Sequence, residues 1–224
     1  MNWGSSSDLA IDVYLFKSYS IGQATLISGC LANVPQLLLS FGYFILNNLC
    51  TVMANAEEWN NMSRTRKGLR VTDPKGDQRS TYFLQLPYRY SLPLMTTSSI
   101  LHWLLSQSFF LVRIDYNKLD EVSIFETATC GFSLSSFYVT ISVWFCLLCA
   151  VGVAGLKKLR IRMPVAASCS LAISAACHRD PSEVGVQFSK VQWGVMKFSV
   201  EEGVPHCSFS AQPVKKPKVG TRYL

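Results

Sequence analysis

An all-α transmembrane fold, three membrane-spanning helices followed by a small cytosolic α+β tail, is what this 224-residue sequence predicts. Three observations carry the prediction. The stretches Val34 to Ala54, Leu92 to Val112 and Phe132 to Leu156 contain no Asp, Glu, Lys or Arg, and each supplies the roughly 20 residues that cross a hydrocarbon core at about 1.5 Å per residue. Apolar residues make up 49% of the chain and charged ones 16%, against about 25% charged in an average soluble domain. Basic residues, finally, are unevenly placed. One precedes Val34, seven lie between Asn55 and Ser91, two lie between Arg113 and Gly131, and eleven follow Leu156.

That distribution sets an orientation, because Lys and Arg are enriched in cytoplasmic loops. It places a lead-in of residues 1–33 outside or in a lumen, a basic loop of residues 55–91 in the cytosol and the tail of residues 157–224 in the cytosol. The spans fill residues 34–156. Met1 to Asp12 is polar and net negative, unlike a secretory leader, so the first span is expected to do the targeting. Pro35 and Pro93 fall in the first turns of the first two spans, where proline is tolerated. A helix beginning near Val34, or a longer one from about Leu26 kinked at Pro35, fits the lead-in.

Polar residues inside spans are costly in lipid and tend to face a bundle interior. Gln36, Ser40 and Asn47 share one helical face, Ser98, His102 and Ser106 another, and Ser135, Ser142, Cys146 and Cys149 form a weakly polar stripe on the third. The most informative are Gln36, Asn47, His102 and Ser106. They read either as a packing seam, with hydrogen bonds across helices, or as the lining of a pathway in which His102 titrates.

The basic loop fits anionic lipid headgroups, at about 1 kcal/mol for each Lys or Arg. Tyr82, Phe83, Tyr88 and Tyr90 suit the headgroup level. Nucleic acid also attracts basic runs with aromatics, but a 37-residue loop tethered at both ends to a bilayer is poorly placed for it. Asp73-Pro74-Lys75-Gly76 is a turn. Asn61-Met62-Ser63 is a glycosylation sequon, expected to stay unmodified on the cytosolic side.

The strings NVPQLLLSFGYFILNNL, RTRKGLRV, QRSTYFLQLPYRY, ILHWLLSQSFFLVRID, MPVAASCSLAISAACH, VQWGV and HCSF resemble the C-terminal half of a family of fungal multi-pass membrane proteins known only by a domain of unknown function. The resemblance runs from about Asn33 to the end. It implies a fungal origin and a multi-pass membrane location, and it brings no activity. Members of that family are typically longer, with a further N-terminal membrane region, so the short start suggests a truncated member or an abbreviated gene model.

In the tail, Cys169, Cys177, His178, His206 and Cys207 are metal-capable. Cys177, His178, His206 and Cys207 form the candidate zinc set, although adjacent Cys-His pairs lack the usual ligand spacing of two to four residues. No cofactor is otherwise expected, and ordinary reduced thiols are the simpler account in the cytosol. Val184, Val186 and Phe188, then Val191, Trp193 and Val195, then Phe198 and Val200 alternate as in half-buried strands. They predict a small apolar core within the tail. Val165 to Cys177 is apolar but too short to span, and AQPVKKPKVGTRYL is expected to be disordered.

Nucleotide-binding loops, nucleophile elbows and intramembrane acid pairs are all missing from the sequence. The expected role is a non-catalytic part of a larger membrane assembly, in contact with lipid and other membrane helices and not with nucleic acid. A transporter or channel subunit is the first alternative. A thiol- or metal-binding regulatory tail is the second.

Overall fold

The computed structural model of the chain describes residues 20–117, 124–161, 163–164, 169–178, 181–196 and 205–223. The polar start Met1 to Asp12, the opening of the stretch from Val165, and Phe198 and Val200 lie outside the described residues. Helix α1 spans Ile21–Met62, α2 Tyr88–Ser108, α3 Leu134–Gly155 and α4 Ser170–Ala176. Three two-stranded sheets pair β1 (Arg70–Val71) with β2 (Arg79–Ser80), β3 (Phe109–Asn117) with β4 (Ile124–Phe132), and β5 (Gln192–Val195) with β6 (Cys207–Ser210).

This architecture corrects the expected three spans with a small tail. Among the described residues only α1 and α3 are long and apolar enough to cross a membrane. The stretch Leu92 to Val112 is not one helix. It is helical to Ser108 and then becomes strand β3, whose Phe109–Asn117 pairs antiparallel with Ile124–Phe132 from Phe109↔Phe132 to Asn117↔Ile124. The physical reason lies in residue type: FFLVRIDYN and IFETATCGF are dense in aromatic and β-branched residues, which favour a pleated surface. The helical remainder carries Thr96, Thr97, Ser98, Ser99 and His102, which dilute its apolarity.

The first helix also departs from expectation, by starting at Ile21 rather than near Val34 or Leu26. Ser20 and Gln23 form a capping box: the Gln23 amide donates to Ser20 Oγ (3.4 Å) and the Ser20 amide donates to Gln23 Oε1 (3.2 Å). Two amides at the helix start are thereby satisfied. Pro35 sits inside the 42-residue helix rather than in its first turn, so it offers no amide to the Leu31 carbonyl four residues back.

Two compact units emerge. The first comprises Met1–Asn47 and Leu92–Ala154. Its buried side is a stripe on α2 of Leu94, Ser98, Leu101, Leu104, Leu105 and Ser108, with the three- and four-residue spacing of one helical face. Phe109, Phe132 and Phe137 close the start of the hairpin, with ring centroids 5.0 to 5.8 Å apart. α1 and α3 approach closely at Gly42, where an added Cβ would stand 3.1 Å from the Trp144 ring. Elsewhere these two helices leave large apolar side chains uncovered, among them Leu37, Phe41 and Phe44 on α1 and Tyr138, Ile141 and Phe145 on α3.

The second unit comprises Asn48–Ser91 and Gly155–Leu224. The residues after Leu156 therefore fold together with the loop that follows α1. Met62, Ala176, Val191, Trp193, Cys207 and Phe209 form its core, with Trp59, Leu69, Ile161 and Tyr223 packed against them. Trp59 meets Phe209 edge to face at 4.8 Å. β5 and β6 are antiparallel from Gln192↔Ser210 to Val195↔Cys207, and Lys215 bridges onward to Val195 while Lys67 bridges to Val191. Of the expected strands, Val191 to Val195 is confirmed in essence, whereas Val186–Phe188 is a 3-10 turn. The final segment is not featureless: Lys215 joins the sheet, and the Tyr223 hydroxyl accepts the Lys218 amide at 2.7 Å. The turn expected at Asp73 to Gly76 closes two residues later: the Gln78 amide donates to the Lys75 carbonyl at 3.2 Å, with Gly76 at φ +62° inside the turn.

Candidate functional site

The last two turns of α1, beyond its apolar stretch, carry Glu57 and Glu58, and the basic residues of the second unit gather around them. Glu58 takes two arginines. Arg70 Nε donates to its carboxylate at 2.8 and 3.1 Å, and Arg79 Nη2 donates to Oε1 at 3.0 Å. The same Arg70 donates through Nη2 to the Tyr82 hydroxyl (2.7 Å) and through Nη1 to the Ser80 carbonyl (3.1 Å), with its guanidinium 4.0 Å from the Tyr82 ring centroid. Arg79 Nε reaches the Gly68 carbonyl at 2.9 Å. Both arginines are consumed in holding the loop to the helix, a use that counting charges along the sequence misses.

Glu57 faces the other way. Lys157 Nζ donates to its Oε1 at 2.7 Å and Arg89 Nη2 lies 3.9 Å from Oε2. The hydrogen bond from Lys157, with the nearby charges of Lys157, Arg89 and Arg160, holds the Glu57 carboxyl below its ordinary range. Around it opens a concavity of about 300 Å³ lined by Arg64, Arg89, Lys157, Lys158 and Arg160. Asn60, 3% exposed, fixes one wall. Its Oδ1 accepts the amides of Arg160 (3.1 Å) and Ile161 (3.4 Å), and its Nδ2 donates to the Ile161 carbonyl (2.7 Å).

The polar residues predicted inside the spans are only partly brought together. Gln36 and His102 pair reciprocally: His102 Nδ1 lies 2.6 Å from Gln36 Oε1, and Gln36 Nε2 donates to the His102 carbonyl at 3.1 Å. Ser106 is exposed and donates to the Trp103 carbonyl at 2.7 Å, and Asn47 is half-buried. On α3, Ser142, Cys146 and Cys149 are exposed. Of the predicted hydroxyls Ser98 is buried, on the inner face of α2; the other buried hydroxyls of this unit lie elsewhere. Ser108 Oγ donates to the Leu104 carbonyl (2.9 Å) and meets Thr140 Oγ1 (3.3 Å), while Ser133 Oγ donates to Ser136 Oγ (3.4 Å). Their signal in the sequence was position: each sits within two turns of the helix ends that flank the hairpin.

Of the candidate zinc set, the His178 and His206 rings meet edge to face at 5.5 Å. His206 is buried and its Nε2 has no hydrogen-bond partner among the described residues. Cys177 caps the end of α4 as an exposed residue, although burial around its sulfur raises the thiol. Cys207 is buried in β6, and burial pushes its thiol up to about 11, which disfavours the thiolate that binds metal. Among the described residues no three His, Cys, Asp or Glu side chains converge on a metal position. Cys169, the remaining candidate thiol, is exposed just before α4.

Sequence comparison adds one finding: the family described as Domain of unknown function (DUF8419) matches residues 19–204. The chain belongs to the DUF8419 family. No characterised protein sequence and no solved structure matches the chain. The DUF8419 match begins just before the capping box of α1 and covers the whole Glu57 and Glu58 cluster.

Proposed function

We propose that this DUF8419 chain is a multi-pass integral membrane protein, anchored through α1 and α3, that acts without catalysis as one subunit of a larger membrane assembly. The observation that carries the reading is the uncovered apolar surface of those two helices. Leu37, Leu38, Phe41, Phe44 and Ile45 on α1, and Tyr138, Ile141, Phe145, Leu148 and Val153 on α3, are each more than 40% exposed. Leaving such a side chain half in water costs on the order of 1 kcal/mol. Ten of them approach the whole stability of a typical domain, about 5–15 kcal/mol. Lipid removes that cost. Phe83, Tyr88 and Tyr90, also exposed, suit the interface between hydrocarbon and water.

The basic loop and the basic segment after Gly155 belong to one folded unit, which supports placing both on one side of the bilayer, the cytosolic one by their charge. The resemblance of the quoted strings to a fungal family supports a fungal source. The Gln36–His102 pair favours a packing seam over a proton pathway, since Nδ1 of the imidazole is already engaged by an amide.

Alkaline carbonate treatment of membranes containing the full-length chain tests the anchor. We expect the protein to stay in the membrane pellet and to be released by detergent. Release by carbonate alone would sink the reading. Assembly is tested separately by size in mild detergent, where a particle holding a single 25.0 kDa chain and nothing else would overturn it.

A further inference from the structure

We propose that the concavity between the end of α1 and the segment following α3 binds a phosphate group, specifically a phosphomonoester dianion, and that a lipid headgroup is its source. Five cations, Arg64, Arg89, Lys157, Lys158 and Arg160, line a space of about 300 Å³ with a single carboxylate, Glu57, leaving four positive charges in excess. The contrast with Glu58 is instructive, because Arg70 and Arg79 there are held by a shared carboxylate within 3.0 Å. In the concavity Lys157 takes Glu57 at 2.7 Å and Arg89 stands off at 3.9 Å. Arg64, Lys158 and Arg160 have no carboxylate within ion-pair distance among the described residues.

Like charges gathered in one concavity repel unless an anion joins them. A phosphomonoester carries about −1.5 to −2 charges and three acceptor oxygens, and arginine forks match its geometry. The volume sits at the lower end of the roughly 300–1,000 Å³ range of small-molecule sites, appropriate to a phosphate with its first linked atoms. The end of the α1 dipole opposes an anion with about half a charge, far less than the cationic excess. The wall is preorganised, since three hydrogen bonds from buried Asn60 fix the backbone at Arg160 and Ile161. Lys157 and Lys158 follow directly on the end of α3 at Gly155, which favours a headgroup over a soluble phosphate. The lipid source, though not the phosphate chemistry, rests on the membrane reading above.

The test uses the full chain purified in neutral detergent and titrated with dioctanoyl phosphatidate, dioctanoyl phosphatidylcholine and glycerol 3-phosphate, with tryptophan fluorescence and thermal midpoint as readouts. We expect saturable phosphatidate binding, at least tenfold weaker glycerol 3-phosphate binding and no response to the choline lipid. Combined R64Q, K158Q and R160Q should weaken phosphatidate at least tenfold, whereas K75Q, K215Q and K218Q together should change it less than twofold. Should the triple variant fail to fold, R64Q alone must weaken binding at least threefold. Equal binding of glycerol 3-phosphate and phosphatidate would overturn the lipid source and leave the phosphate site. No binding of either, or equal losses in both charge sets, would overturn the site. A chain that carbonate releases yet that still binds glycerol 3-phosphate would sink the membrane reading alone.

Discussion

Glu58 shows how much one carboxylate can organise. Replacing it with Gln leaves Arg70 and Arg79, both only a quarter to a third exposed, without their shared countercharge. We expect the second unit to lose about 2–3 kcal/mol, the scale seen when a charged hydrogen-bond partner is removed, measurable by denaturant unfolding. Glu57 gives a pH prediction. Its carboxyl is depressed in the folded state, so its contribution is fully present above the unfolded carboxylate value and is lost as pH falls through the folded one. At a partly exposed pair the effect is roughly 0.2–1 kcal/mol. The thermal midpoint of the native chain should therefore fall more steeply below about pH 4.5 than that of Glu57→Gln, and identical slopes would contradict the pairing. The sequence displayed the surplus of basic residues plainly but not its internal use, because the one carboxylate that binds both Arg70 and Arg79 lies 12 and 21 residues upstream of them, beyond the reach of any helical or strand periodicity.

Among the elements, α1 and α3 were legible from their uncharged apolar runs, and β5 from the alternation of Val191, Trp193 and Val195. The hairpin was not, because an apolar count treats Phe109 to Val112 alike whether coiled or pleated, and its partner strand Ile124–Phe132 falls largely in the charged segment between Arg113 and Gly131. The start of α1 was missed for another reason: the Ser20 and Gln23 box lies 14 and 11 residues before Val34, in an uncharged segment too rich in Ser, Gly and Gln to read as part of a span. The seam between α1 and α2 supplies a prediction at this scale. His102→Asn keeps a group able to hydrogen-bond Gln36 and should shift the thermal midpoint in detergent by less than about 1 °C, whereas His102→Leu should cost about 0.6–1.7 kcal/mol, as for other interhelical hydrogen bonds in membranes. Equal effects of the two substitutions would mean that the 2.6 Å contact contributes nothing. The turn at Gly76 gives another. Its φ of +62° and the 2.7 Å approach of an added Cβ to the Phe188 carbonyl predict that Gly76→Ala destabilises the second unit by at least 1 kcal/mol, read by urea midpoint.

At the scale of the whole molecule, the tail looked self-sufficient in sequence because its alternating apolar residues suffice to sketch a small core. The structure shows that core completed by Trp59, Met62 and Leu69 from the far side of the first unit's sequence. We therefore expect an isolated peptide of residues 157–224 to lack cooperative unfolding and to show Trp193 emission near that of a solvent-exposed indole. A blue-shifted Trp193 in that peptide would show the tail to be autonomous after all. Trp59 and Phe209, in contact at 4.8 Å, leave the ribosome 150 residues apart. At roughly 5–20 residues per second, half of the second unit waits about 8–30 s for its other half. During that interval Trp59 and Met62 have no core to enter, which makes the newborn loop a substrate for chaperones and proteases. A chain terminated before Gly155 would keep both apolar helices almost whole and still be degraded from that orphaned loop.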